Sequence, residues 1–191
     1  MALAWSSSVA LAQLPKNPVV GQAIDSLNGV WVYYNGEVPH VSGRNVAADG
    51  YNLGLKYQCV EFVKRYYYEH LDHRMPDSYG HAKDFFDPDL KDGQMNATRD
   101  LTQYANPSLT KPRSDDLLVY SATGDEQYGH VALISEVLGD SLEIIQQNPG
   151  PDKPARERYS IVFSEDRWYI ENGRIRGWLR KQDPAEQLPE Q

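Results

Sequence analysis

The sequence predicts an α+β fold, and two observations carry that expectation. One amphipathic segment, residues 59–71 (CVEFVKRYYYEHL), comes first, and three strand-type segments, residues 116–121, 130–137 and 142–148, follow close together. The last two are separated by Gly139-Asp140, a turn pair that marks them as an antiparallel hairpin.

The elements follow in chain order. Residues 1–12 (MALAWSSSVALA) are apolar and small, and Ala10-Leu11-Ala12 has the form of a leader-peptidase site. No basic segment stands in front of that stretch, so two readings stay open: a cleaved leader or a disordered N-terminus. A leader implies a periplasmic or secreted protein; without one a cytoplasmic location follows. Residues 28–34 (NGVWVYY) are β-branched and aromatic and end at Asn35-Gly36, which predicts a strand and a tight turn. A polar loop is expected from there to about Gly54.

In residues 59–71, Val60, Phe62, Val63, Tyr66, Tyr67, His70 and Leu71 recur at helical spacing with charges between them. A shorter helix is expected around residues 78–86, stopped by Asp87-Pro88, and mostly loop from there to Arg113. Residues 158–163, 168–170 and 175–179 read as short strands. Residues 13–181 form one expected domain, and residues 182–191, rich in Pro, Glu and Gln, a flexible tail.

Composition narrows the function. Forty per cent hydrophobic and 24% charged residues fit a globular chain, and a net charge of −8 without a Lys/Arg cluster argues against nucleic acid as a partner. No run is long enough for an integral membrane segment. The single cysteine, Cys59, excludes an internal disulfide and a Cys-rich zinc site, and no metal or cofactor is called for.

Cys59 is therefore either a packed small hydrophobe or a reactive thiol. A thiol attacks as thiolate, and the first turn of a helix, with unpaired N–H groups and the positive end of the dipole, favours that anion. The same amides can hold the oxyanion of a tetrahedral intermediate. Among five histidines, His130 stands apart because it opens an apolar strand directly after Tyr128-Gly129, where glycine permits close approach of a ligand or another chain segment. His70 reads as a core or cap residue, His73 as part of the exit loop, and His40 and His81 as loop residues.

A third group must orient the imidazole, and the second strand of the hairpin ends in Gln146-Gln147-Asn148. A plain two-residue turn puts Gln147 on the His130 face, whereas one bulge switches that face to Gln146 and Asn148. Tyr57, Tyr128 and Trp178 are candidate aromatic walls of a cleft, against the alternative that they are core.

The ordered set LKYQCVEFVKRYY, DDLLVY, GHVALISEV and IIQQN resembles the CHAP family of cysteine/histidine-dependent amidohydrolases and peptidases within the papain-like superfamily. Gln-Cys-Val-Glu-Phe and Gly177-Trp178 are most similar to the amidase domain of glutathionylspermidine synthetase/amidase. The resemblance implies N-terminal helices carrying the cysteine packed on an antiparallel sheet carrying the histidine. It further implies Cys59 as nucleophile, His130 as base and Gln58 as an aid in polarising the carbonyl. Where the family usually reads Glu-Gln-Asn, this chain reads Gln146-Gln147-Asn148, which predicts weaker thiolate–imidazolium pairing or reliance on Asn148.

The activity so implied is amide cleavage through an acyl-enzyme, with peptidoglycan peptides as first candidate substrate. A small glutathione–polyamine conjugate is the alternative, and a catalytically weak peptide- or wall-binding domain is a third reading. A protein that inhibits or delivers the chain is left unspecified.

Overall fold

The computed structural model describes residues 17–182. The expected leader or disordered segment at 1–12 and nearly all of the expected tail lie outside those residues. Gln182, where the tail was expected to begin, donates a hydrogen bond to the Tyr104 hydroxyl at 3.1 Å.

Among the described residues there are twelve strands, one α-helix and one 3₁₀ turn. The chain runs through β1 (Ala23–Leu27), β2 (Val30–Tyr33), β3 (Arg44–Val46) and β4 (Asn52–Leu55) into α1 (Cys59–Glu69). A 3₁₀ turn (Ala82–Phe85) leads to β5 (Gln94–Asn96), β6 (Leu101–Ala105), β7 (Leu117–Tyr120), β8 (His130–Leu138) and β9 (Ser141–Ile145). The chain closes with β10 (Arg156–Ser164), β11 (Arg167–Ile170) and β12 (Ile175–Arg180). Eight strands form one sheet in the order β11-β10-β9-β8-β7-β12-β6-β5, every neighbouring pair antiparallel. The α+β class holds, with one α-helix among the described residues where several were expected.

Four sequence expectations are corrected. Asn28-Gly29 is the turn of a β1–β2 hairpin, with φ of 47° and 84°, rather than the head of a strand. Both residues take the left-handed conformation that a two-residue hairpin turn demands. The polar loop before Gly54 contains the β3–β4 hairpin, and the stretch before Arg113 contains β5 and β6. These strands are short and polar, so they carry little period-2 signal of their own. The helix expected at 78–86 shrinks to the 3₁₀ turn Ala82–Phe85, whose Phe85 is fully buried.

Two hydrophobic layers explain why the sheet is central. Leu117, Val119, Val131, Leu133 and Ile145 pack with Phe62, Val63, Tyr66 and Tyr67 of α1. Leu118, Tyr120, Ala132, Ile134 and Ile144 form a second cluster with Trp178, Ile161 and Ile170. Alternate residues of β7 and β8 thus serve opposite layers, the pattern of strands buried on both sides. Each fully buried Leu-, Ile- or Phe-sized side chain contributes about 1.5–3 kcal/mol relative to exposure.

Burial on α1 extends beyond the apolar stripe. Glu61 and Arg65 form a buried ion pair at 2.7 Å, and Lys64 gives its ammonium to the carbonyls of Asn52 and Ser78. Glu61 also accepts from Asn45 (2.7 Å) and from Gln147 (2.8 Å), tying the start of α1 to the β3–β4 hairpin and to the end of β9. Paired and hydrogen-bonded, these charges can stay inside.

Candidate active site

The helix start carries the thiol. Gln58 occupies the N-cap position with extended backbone (φ −80°, ψ 161°) and makes no side-chain cap, so the first-turn amides are free of a capping oxygen. Cys59 follows, 9% exposed, and its sulfur lies against the backbone N–H groups of Val131, Val60 and Cys59 itself. Val131 is the residue after His130 on β8, so the head of the helix meets the head of that strand. Carboxylate Glu126, in the loop before β8, acts electrostatically on both the thiol and the imidazole.

A thiolate favoured by the helix is not what the resting site holds. Burial pushes the Cys59 thiol up to about 11, and the backbone N–H groups offset only part of that cost. His130, 8% exposed, is pushed down to about 4 by burial, against the raising influence of Gln146 and Glu126. Desolvation penalises both charged forms, so thiol and imidazole rest neutral. Glu126 itself would be raised by burial, but Arg174 and Lys153 hold it below the usual range.

Register decides which polar side chain reaches the imidazole. Leu138 pairs with Ser141 across the Gly139-Asp140 turn, and the register then slips by one residue between Ile134 and Glu136, leaving Ser135 as a bulge. The slip turns Gln146 toward His130, and Gln146 Oε1 accepts from His130 Nε2 at 2.9 Å. The amide orientation is fixed by its other end, since Nε2 of Gln146 donates to the Pro154 carbonyl (3.1 Å) and to Glu157 Oε1 (3.0 Å). An oxygen that can only accept requires the proton on His130 Nε2, which leaves the lone pair on Nδ1.

The neighbouring polar residues are engaged elsewhere. Gln147, fully buried, accepts from the Tyr33 amide and donates to the Gln58 carbonyl and Glu61 (2.8, 3.0 and 2.8 Å), bracing the head of α1 against β2 and β9. Asn148 donates to Gln58 Oε1 at 2.8 Å and to the Val38 carbonyl at 3.0 Å, while its own buried Oδ1 has no partner. Gln58 gives its amide N–H groups to the carbonyls of Val38 (3.1 Å) and His40 (2.7 Å). Its donors therefore face the 36–42 loop in this state rather than an incoming carbonyl.

Of the remaining candidates, Gly129 sits at φ +72°, where an added Cβ would lie 2.8 Å from the Tyr120 carbonyl. The close approach that sequence suggested is thus made by the chain's own backbone. Tyr128 is 54% exposed and stacks on His81 at 4.4 Å, beside the entrance to β8. Tyr57 is half-buried and packs on Tyr33 at 5.1 Å. Trp178 is corrected outright: it is fully buried in the second hydrophobic layer beside Tyr104 and lines no cleft. Its register as Gly-Trp on the central strand β12 gives it a packing role.

Sequence reasoning missed Glu126 and Glu157. Glu157 pairs opposite Ile144 and so lies diagonally across from Gln146, but the strand was expected to begin one residue later, at 158. Glu126 comes from a polar loop with no periodic signal. A groove of about 430 Å³ lies on the Asn148 side, lined in part by Tyr33, Tyr34, Asn35, Pro151 and Lys153. Among the described residues no cluster of His, Cys, Asp or Glu is arranged to hold a metal ion, and no helix is long and apolar enough to cross a membrane.

The chain is similar to two curated proteins of Crithidia fasciculata. It is 31% identical to trypanothione synthetase over 61% of this chain and 18% of that protein, and 28% identical to glutathionylspermidine synthase over 53% and 14%. It thus spans less than a fifth of the length of either relative. A solved structure, that of Ly7917, matches 73% of this chain and 56% of its own at 21% identity and a TM-score of 0.37. The CHAP domain family model aligns with residues 49–148, a span holding Cys59, His130 and Gln146 and more than half of the sequence, so the chain belongs to the CHAP domain family.

Proposed function

We propose that the chain is a cysteine amidase or peptidase that cleaves an amide bond through an acyl-enzyme, with Cys59 as nucleophile and His130 as base. The observation that carries the reading is the meeting of helix head and strand head: the Cys59 sulfur lies against the Val131 N–H, one residue from an imidazole whose Nε2–H is held by Gln146. Because both groups rest neutral, the proton passes from sulfur to Nδ1 as attack begins, instead of beforehand. Sulfur adds to the carbonyl carbon, and first-turn backbone amides of α1 are the donors for the oxyanion. The imidazolium then protonates the departing amine, and water, deprotonated by the same nitrogen, frees the acid and restores the thiol. A papain-like placement of helix against sheet is the arrangement this chemistry needs.

For substrate, the names of the two curated relatives support a small conjugate of glutathione with a polyamine over the wall peptides favoured by sequence alone.

The test is direct. Purified protein is incubated with glutathionylspermidine and, separately, with muropeptides, and release of free amine is followed. Release from the conjugate, abolished by Cys59→Ala, is expected. Turnover of muropeptides alone would move the substrate to the cell wall, and no Cys59-dependent release from any amide would remove the amidase reading.

A further inference from the structure

A carboxylate stands behind Gln146, where the third group of the site is a neutral amide. Glu157 Oε1 accepts from Gln146 Nε2 at 3.0 Å, and its other oxygen accepts from the Tyr159 hydroxyl at 2.8 Å. Tyr159 lies 3.5 Å from the Tyr120 hydroxyl, and the Tyr120 ring meets His130 edge-on at a centroid distance of 5.5 Å. The chain of contacts therefore runs His130, Gln146, Glu157, Tyr159, Tyr120 and back to the imidazole. Tyr120 is almost wholly buried, and burial keeps both phenols protonated well above neutral pH, so Tyr159 remains a donor to the carboxylate.

We propose that Glu157 is a positioning residue that supplies, through the Gln146 amide, the negative charge that the site's third group itself lacks. An amide whose N–H groups are held by a carboxylate is polarised, and its carbonyl oxygen becomes a stronger acceptor. That oxygen faces His130 Nε2, so the imidazolium formed when Cys59 gives up its proton is stabilised without a second proton transfer. The proton stays on the ring and none passes to Glu157. The charges that act directly on the ring are Glu126, Arg174 and Lys153, none of which touches Gln146, whereas Glu157 acts through the amide. Gln146 and Glu157 together then do what one glutamate would do in contact with the imidazole.

The inference rests on the reading of Cys59 and His130 as nucleophile and base, and its test separates the two. Alkylation of Cys59, the only cysteine, by iodoacetamide at pH 7 needs no substrate and reports proton removal from the thiol. His130→Ala is expected to slow it strongly. Glu157→Gln keeps an acceptor for Gln146 and a partner for Tyr159 but removes the charge, and is expected to slow it roughly tenfold, the scale of outer-shell partners elsewhere. The double variant Gln146→Glu/Glu157→Gln moves the carboxylate to the ring and should return the rate to within about threefold of wild type, whereas Gln146→Glu alone sets two carboxylates face to face and should not.

A merely structural Glu157 would leave Glu157→Gln and the double variant equally slow, or Glu157→Gln at the wild-type rate, and either result overturns the relay. A rate indifferent to His130→Ala sinks the pair and the relay with it. Glu157→Asp, which keeps the charge but withdraws it by one methylene, should fall between wild type and Glu157→Gln; it serves if the latter melts near the assay temperature.

Discussion

Burial, not the helix terminus, sets the resting state of the thiol. The field at the head of α1 and three backbone N–H groups act in favour of the anion, yet desolvation outweighs them and leaves Cys59 near 11. Helix-terminus stabilisation is worth about 0.3–1 kcal/mol, while removing a charge from water costs several. The iodoacetamide rate of wild-type protein should therefore keep climbing with pH beyond 9 and level off near 11. A plateau reached by pH 8 would show a thiolate already formed at rest, and with it a different starting point for the chemistry.

At the scale of elements, the one-residue slip at Ser135 decides which side chain reaches the His130 imidazole. The sequence left two outcomes open at this point, Gln147 with a plain turn or Gln146 and Asn148 with a bulge, and nothing in the residues themselves selects between them. The selection is made by packing: Ser135 Oγ bonds the carbonyl and carboxylate of Glu143 at 3.1 Å each, which holds the extra residue out of the ladder. Ser135→Val removes both bonds and supplies a β-branched side chain, so the extra residue should enter the ladder opposite Ile144 and bring Gln147, in place of Gln146, to the His130 face. Amidase turnover should fall about a hundredfold or more, the cost of a misplaced catalytic group, with the far-ultraviolet circular dichroism unchanged. Full turnover in the Ser135→Val variant would show that the Ser135 bonds are not what turns Gln146 toward His130.

The same scale shows what sequence could reveal. Helix α1, the three central strands and the Gly139-Asp140 turn were legible because their periodicity is strong and their turn residues are specific. Strands β3, β4, β5 and β6 were not, because they are short and polar and gain their order from neighbours distant in sequence. At the site, Cys59 and His130 were legible from their places at element starts. Glu157 was hidden by a strand boundary set two residues late, and the occupation of Gln58 by the Val38 and His40 carbonyls depends on a loop whose path no local pattern fixes.

For the molecule as a whole, the buried imidazole links the site to stability. His130 has its folded value near 4 against an ordinary 6.5, so the neutral ring contributes stability that is fully present above pH 6.5. That contribution is lost as pH falls through 4, and it amounts to about 3 kcal/mol at 1.36 kcal/mol per unit. Urea unfolding at pH 7, 5.5 and 4 should show wild type losing more stability than His130→Gln over that interval. Parallel losses in the two proteins would mean that the ring is solvated in the folded state.

A thiol held near 11 exists as anion in only about one molecule in ten thousand at pH 7. Oxidants attack the anion, and a sulfenic acid is ordinarily rescued by a second thiol close by. This chain has no second cysteine. Enclosure of Cys59 between helix and sheet is thus also its protection, since a thiol with no internal means of repair is kept in the form that peroxide barely touches.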